Sequence, residues 1–143
     1  REEVERLLGF PAFRDRQIEI DPQSADGAIE TDRALLGRIM SNMLRNALEA
    51  TLPGEAVRAG CRERGDGVEF WVWNPGEMPR EVQVQVFQRS FSTKGEGRGL
   101  GAYSMKLLAE RYLGGTVSFT SSAAGTEFRM HCPHVIPSTP RSA

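Results

Sequence analysis

Apolar residues recur at steps of three and four positions in the stretch before Pro53, a spacing typical of one buried face of an α-helix. Either Thr31 or Asp32 is a good N-cap, and Pro53 with Gly54 stops a helix. We therefore expect a helix from about residue 31 to Thr51. The predicted buried stripe comprises Leu36, Ile39, Met40, Met43 and Ala47.

The same spacing returns later in the chain and predicts a second amphipathic helix over residues 102–113. Gly114 and Gly115 follow at once and end it. A shorter helix is expected over residues 80–88. The predicted buried face of the second helix comprises Met105, Leu108, Ala109 and Tyr112.

Alternating and β-branched stretches predict the strands. Residues 56–64 and 68–73 form an expected hairpin across Gly65-Asp66-Gly67. The other expected strands cover residues 16–20, 28–30, 117–121 and 126–132. This mixed order predicts an α+β fold, a two-layer sandwich with the helices on one face of a mixed sheet.

Composition limits the classes of function. The 143 residues include 18 Lys and Arg against 19 Asp and Glu, a net charge of −1 that disfavours general nucleic-acid binding. No apolar run approaches the roughly 18 residues that span a bilayer, and no signal peptide is visible. Cys61 and Cys132 have no metal-binding spacing and are expected to be free thiols. Because the chain begins with Arg1, we expect a fragment of a longer protein.

Two amides mark the first predicted helix. Asn42 and Asn46 are four residues apart, so they share a face that lies beside the apolar stripe. An amide oxygen there can complete a magnesium shell shared with phosphates and water. Two ordinary polar residues on the flank of a helix are the alternative interpretation.

A second candidate follows the aromatic strand that ends near residue 73. Asn74 is followed two residues later by Gly76, so the backbone can approach a flat ligand there. A simple turn explains the same residues. Residues 125–128, Gly-Thr-Glu-Phe, open the last predicted strand and by themselves say little.

A polar, glycine-rich stretch, residues 92–101, reads Ser-Thr-Lys-Gly-Glu-Gly-Arg-Gly-Leu-Gly before the second predicted helix. Glycine amides beside a helix N-terminus can cradle phosphate, and Lys94 or Arg98 can neutralise its charge. A loop without a ligand is the alternative. The Rossmann, Walker and protein-kinase signatures are absent from the sequence.

Taken together, in this order and spacing, the four motifs resemble the ATP-binding catalytic domain of bacterial sensor histidine kinases. This family lies within the gyrase, Hsp90, histidine kinase and MutL superfamily, and the resemblance implies its Bergerat-type ATP-binding fold. It covers residues 13–133, which leaves 1–12 as the end of an upstream helix or linker and 134–143 as a flexible tail. Residues 42–50 resemble the N box, 74–79 the first glycine box, 87–94 the F box, 97–101 the second glycine box and 125–128 the G-T-x-F motif.

The resemblance implies a role for each motif, with ATP and Mg2+ as the bound groups. Asn46 would hold magnesium, Asn42 would lie near the phosphates, and Asn74 would bind adenine. Asn42, Asn46 and Lys94 are thus the implied catalytic residues, and residues 90–98 the implied ATP lid. The implied nucleotide-binding set further includes Gly76, Ser92, Thr93, Gly97, Arg98, Gly99, Leu100, Gly101 and Thr126.

The implied reaction transfers the γ-phosphoryl group of ATP to a histidine on an upstream dimerisation helix, which we expect to be missing from this fragment. His131 and His134 lie at the end of the last predicted strand, and we interpret both as incidental. The implied partners are that helix and, through the full-length kinase, a response regulator. We expect the fragment to be a cytoplasmic monomer that binds no nucleic acid.

The sequence departs from the family pattern at the first glycine box. Asn74 stands where the family usually has Asp, and Met78 lies near an expected glycine. Because an amide can rotate and present either atom, we expect weaker discrimination between adenine and guanine. Three alternatives stay open: a degenerate nucleotide-binding or interaction module, an anti-sigma-type serine kinase, and a gyrase- or Hsp90-like ATPase. The ATPase needs a carboxylate where this chain has Asn42.

Overall fold

A computed structural model describes residues 17–21, 33–86 and 102–134 of the chain. Five strands and the helices between them make up this part. The strands are β1 (Gln17–Ile20), β2 (Ala56–Arg64), β3 (Gly67–Asn74), β4 (Thr116–Ser122) and β5 (Gly125–Pro133). The helices are α1 (Arg33–Glu49), α2 (Arg80–Gln83) and α3 (Ala102–Leu108), and α3 continues as a π-helical turn, Ala109–Leu113.

The strands form one sheet in the order β1-β2-β3-β5-β4. Strands β1 and β2 pair in parallel, and every other neighbouring pair is antiparallel. Helix α1 packs on β2 and β3, and the π-helical turn packs on β4 and β5. The predicted α+β class with helices on one face of a mixed sheet is confirmed.

The core lies between the helices and one face of the sheet. Its fully buried side chains come from α1, from the second helical segment and from alternate positions of the strands, the pattern expected of a sheet covered on one side. On the opposite face, Arg58 lies over the Trp73 ring at 5.5 Å and Arg62 over Trp71 at 5.4 Å. The largest fully buried side chains are Ile39, Met43, Leu48, Met105, Leu113, Met130, Val57, Val72 and Cys132.

Helix α1 agrees with the prediction to within two residues at each end. Of the predicted stripe, Ile39, Met43 and Ala47 are buried, whereas the other two members are half-buried. Leu44 and Leu48 are buried as well, although the stripe did not include them. The buried surface is thus shifted from the predicted stripe toward the side that carries Leu44 and Leu48, because α1 contacts both the sheet and α3.

The predicted buried face of the helix over residues 102–113 was wrong at Tyr112, whose exposed fraction is 55%, while Leu113 is fully buried. The cause is the change from α- to π-helix at Ala109. A π-turn closes its hydrogen bonds over five residues and holds more residues per turn, so the side chain that returns to the core is four positions after Ala109. Gly114 then ends the helix with a left-handed φ of 67°.

The strand predictions within the described residues are confirmed with small shifts. One correction concerns Asn74, which is the last residue of β3 and not the first residue of a turn. Helix α2 is shorter than expected, ending at Gln83. Cys61 and Cys132 are not joined in a disulfide. None of the helices in the described part is long and apolar enough to cross a membrane. The predicted segments at 1–12, 28–30 and 90–101 lie outside the described residues, and so does the predicted tail 134–143 except for His134.

Candidate functional site

Three polar side chains lie in one row across the neighbouring strands β3, β5 and β4, at the end where β3 runs into its following loop. Asn74 is paired with Thr126, and Thr126 is paired with Ser121. Because side chains alternate along a strand, all three lie on the helix-covered face, two positions beyond Val72 and Phe128. Asn74 and Thr126 are only 6% and 4% exposed. The apolar face therefore ends in a row of hydrogen-bonding groups, of which Asn74 and Thr126 are buried and Ser121 is half-buried.

The row is joined to the loop after β3 by a chain of hydrogen bonds. The Met78 amide donates to Ser121 Oγ at 2.8 Å, and Ser121 Oγ lies 2.7 Å from Thr126 Oγ1. Thr126 Oγ1 donates to the Gly76 carbonyl at 2.9 Å. Since a hydroxyl has a single proton, Ser121 must donate to Thr126, and the direction of the whole chain is fixed. Two hydroxyls of the β4–β5 hairpin thus hold both sides of residue 77.

The side chain of Asn74 is fixed by its own neighbour. Its Nδ2 donates to the Pro75 carbonyl at 2.8 Å, which leaves Oδ1 as the acceptor that this amide can still present. Gly76 follows with φ of +100°, and a Cβ built there meets nothing within 4 Å. Gly76 therefore turns the chain sharply, and the space that a side chain at this position would occupy is open.

Gly125 allows β5 to begin directly against β3. Its φ is +123°, and a methyl group at this position would overlap the Trp73 indole ring and crowd the Asn74 carbonyl oxygen. The indole Nε1 of Trp73 also donates to the Ala124 carbonyl at 3.2 Å. A glycine is required here so that Thr126 can reach its place beside Asn74.

The two amides on α1 lie where the helical spacing predicts, beside the buried stripe. Asn42 and Asn46 are both half-buried, and each precedes a buried residue, Met43 or Ala47. Asn42 Nδ2 donates to the Arg38 carbonyl at 2.8 Å, one turn earlier on the same helix. Helix α1 packs on β3, the strand that ends at Asn74.

The loop after β3 is also held from the other side. The Gln83 amide donates to the Met78 carbonyl at 2.8 Å, so both backbone groups of Met78 are bound by side chains. A surface depression next to this loop is lined by residues 77–80 and Gln83. In residues 17–21, 33–86 and 102–134, no three His, Cys, Asp or Glu side chains are grouped as metal ligands.

The structure brings together three of the predicted site residues, Asn74, Gly76 and Thr126. Ser121 was missed by the sequence prediction. A signal for it existed, because the predicted β4–β5 hairpin places Ser121 opposite Thr126 on the same face. The predicted residues Ser92, Thr93, Lys94, Gly97, Arg98, Gly99, Leu100 and Gly101 lie outside the described residues.

Residues 31–136 match the family described as histidine kinase-, DNA gyrase B-, and HSP90-like ATPase. The sensor histidine kinase CusS of Escherichia coli O157:H7 is 34% identical over 92% of this chain, which spans 29% of that relative. The sensor protein CopS of Pseudomonas syringae pv. tomato is 30% identical over 69% of this chain, and 21% of its own length is covered. The catalytic domain of histidine kinase ThkA superimposes with a TM-score of 0.79 at 26% identity, covering 94% of this chain and 91% of that domain.

Proposed function

Since the chain belongs to the histidine kinase-, DNA gyrase B-, and HSP90-like ATPase family, we propose that it is the ATP-binding catalytic domain of a sensor histidine kinase. It binds ATP with Mg2+ and gives the γ-phosphoryl group to a histidine on a dimerisation helix upstream. The names of its relatives, sensor histidine kinases and a histidine kinase catalytic domain, support this choice within the family. The domain is proposed to extend over residues 13–133.

The observation that carries the proposal is the row of Asn74, Thr126 and Ser121, whose two hydroxyls hold the loop after β3. Adenine carries a hydrogen-bond donor at N6, and Asn74 Oδ1 is an acceptor held in one orientation at the end of an apolar face. We propose that a flat ring approaches this amide past Gly76, where the space that a side chain would occupy is open. A buried amide whose oxygen is left to accept fits a base with an exocyclic amino group.

The amides of α1 are suited to the magnesium end of the nucleotide. Mg2+ prefers hard oxygen ligands and keeps several waters, so a single side-chain oxygen together with phosphate oxygens is a sufficient protein contribution. Asn46 would supply that oxygen, and Asn42 would lie beside the phosphates. Bound Mg2+ would neutralise charge on the phosphate oxygens. An amide accepts no proton at neutral pH, so Asn42 favours phosphoryl transfer over an ATPase that needs a general base.

In the transfer step, the bond between the γ-phosphorus and the bridging oxygen of ATP breaks. A P–N bond forms to a ring nitrogen of the acceptor histidine, and ADP leaves. Such transfer depends mainly on positioning and on neutralised phosphate charge. We propose that Lys94, Arg98 and the amides of residues 97–101 serve the phosphates, as the resemblance implies, with Ser92 and Thr93 in the same loop.

The remaining partners belong to the full-length protein, because this chain spans under a third of the CusS relative. The histidine kinase ThkA has been solved in complex with the response regulator protein TrrA, at 25% identity to this chain. We propose that the full-length protein likewise passes its phosphoryl group to a response regulator. The catalytic part is proposed to act in the cytoplasm, where ATP is present, and to be monomeric by itself.

Two measurements on the purified chain test the proposal. Calorimetry should detect Mg-ATP and Mg-ADP at one site, with weaker binding when magnesium is removed. Labelled Mg-ATP should then phosphorylate a separate helical segment that carries an acceptor histidine, and the label should be acid-labile. Absence of nucleotide binding would reject the function, and binding without any transfer would favour a degenerate binding module.

A further inference from the structure

We infer that Ser121 is a positioning residue for the adenine end of the site, because its hydroxyl holds the loop after β3 against the β4–β5 hairpin. This inference rests on the proposed ATP-binding function. Ser121 contacts neither Asn74 nor the amides of α1 in the chain of bonds described above. It acts through Met78 and Thr126.

The loop itself contains little that could hold it. Met78 is followed by Pro79, which has no amide hydrogen, and Gly76 has wide backbone freedom. Ser121 accepts the Met78 amide, while Thr126 donates to the Gly76 carbonyl. Without these two hydrogen bonds, residues 76–78 lose two of their contacts with the sheet. The position of this loop beside Asn74 is then no longer fixed.

In this series of hydrogen bonds, only Ser121 both accepts a hydrogen bond and donates one to another side chain. Ser121 Oγ accepts the hydrogen bond from the Met78 amide. The Ser121 hydroxyl donates to Thr126 Oγ1, which orients the Thr126 hydroxyl toward the Gly76 carbonyl. Alanine at this position would leave the Met78 amide without its acceptor and allow the Thr126 hydroxyl to turn away. Chained hydrogen bonds strengthen one another, so loss of the middle group weakens both ends.

Variants at Ser121 distinguish positioning from a general structural role. Ser121→Ala should weaken Mg-ATP binding about tenfold, the size expected when a half-buried amide loses its hydrogen-bond acceptor. Adenosine and Mg-ADP should be weakened by the same factor, because the loop serves the base and not the phosphates. Ser121→Thr keeps the hydroxyl and should restore binding. Ser118→Ala, on the exposed opposite face of the same strand, is the matched control and should bind like the native chain.

In the phosphotransfer assay, Ser121→Ala should raise KM for ATP and leave kcat at saturating ATP nearly unchanged. Native affinity in the folded Ser121→Ala protein would overturn the inference while the ATP-binding function stands. Failure of the native chain itself to bind Mg-ATP would reject the function instead.

If Ser121→Ala does not fold, hydrogen exchange in the native chain decides the question. The Met78 amide should be protected, because its hydrogen bond to Ser121 must open before exchange. Rapid exchange of this amide would overturn the inference without any variant.

Discussion

The side-chain amide nitrogen of Asn74 donates to the Pro75 carbonyl oxygen at 2.8 Å, and this contact fixes which atom the amide presents to the site. The sequence alone left the amide free to rotate. Rotation by half a turn would place Oδ1 against the Pro75 carbonyl, so two acceptors would meet and a hydrogen bond would be lost. Oδ1 therefore stays available for a donor such as the adenine amino group.

This contact predicts that the native chain retains a preference for ATP over GTP. An Asn74→Asp variant places a carboxylate oxygen beside the Pro75 carbonyl and should raise the preference by no more than about threefold, because part of its charge is opposed there. Competition binding of the two nucleotides to the native chain, Asn74→Asp and Asn74→Ala measures the effect. A tenfold or larger gain in the Asp variant would show that the native amide does rotate.

Removal of the proposed magnesium ligand should abolish the magnesium-dependent part of ATP binding. Asn46→Ala and Asn46→Asp each change a half-buried side chain, so the free energy of unfolding should shift by only about 0.5 kcal/mol. Calorimetry with and without magnesium measures the magnesium-dependent part of ATP binding, and urea denaturation measures the free energy of unfolding. Ser118→Ala, on the exposed face of β4, serves as the control and should bind normally. Unchanged magnesium dependence in both Asn46 variants would remove the residue from the site.

Gly125→Ala should destabilise the fold by about 3 kcal/mol, since a methyl group overlaps the Trp73 ring in a backbone conformation that alanine resists. Gly76→Ala isolates the conformational part, because its φ is +100° but nothing lies within 4 Å of the added carbon. That variant should lose only about 1 kcal/mol. Equal losses in the two variants, measured by denaturation, would contradict the packing argument.

Neither histidine at the end of β5 should accept the phosphoryl group. His131 lies five residues from Thr126 along the strand, about 17 Å away, and its odd position puts it on the opposite face of the sheet. Its Nε2 contacts the Arg64 carbonyl at 3.1 Å, and His134 Nε2 contacts a Glu63 carboxylate oxygen at 2.9 Å.

Incubation of the chain alone with labelled Mg-ATP should therefore give no acid-labile label, and label should appear once a helical segment with an acceptor histidine is added. His131→Ala and His134→Ala should transfer to that segment as well as the native chain does. Label on the chain that disappears in either variant would contradict the geometry.

Local patterns in the sequence were sufficient for the kinds and positions of most elements. The apolar spacing of α1, the hairpin over β2 and β3, and the glycines that end the second helix are all properties of neighbouring residues, so they can be read without the fold. The prediction for Tyr112 failed because a single π-turn changes the number of residues per turn, and apolar spacing does not report that change.

The sequence by itself determined the fold class, because the spacing of apolar residues is a local property, and the resemblance of its motifs to those of sensor histidine kinases marked Asn74 and Thr126 as candidates. Only the tertiary structure decided that Ser121 joins them, that Met78 is bound through its backbone, and that the Asn74 amide has one orientation. These relations depend on the register between β3, β5 and β4, which brings together residues about 50 positions apart. Register is set by packing of the whole sheet against the helices, and no short stretch of the chain contains it.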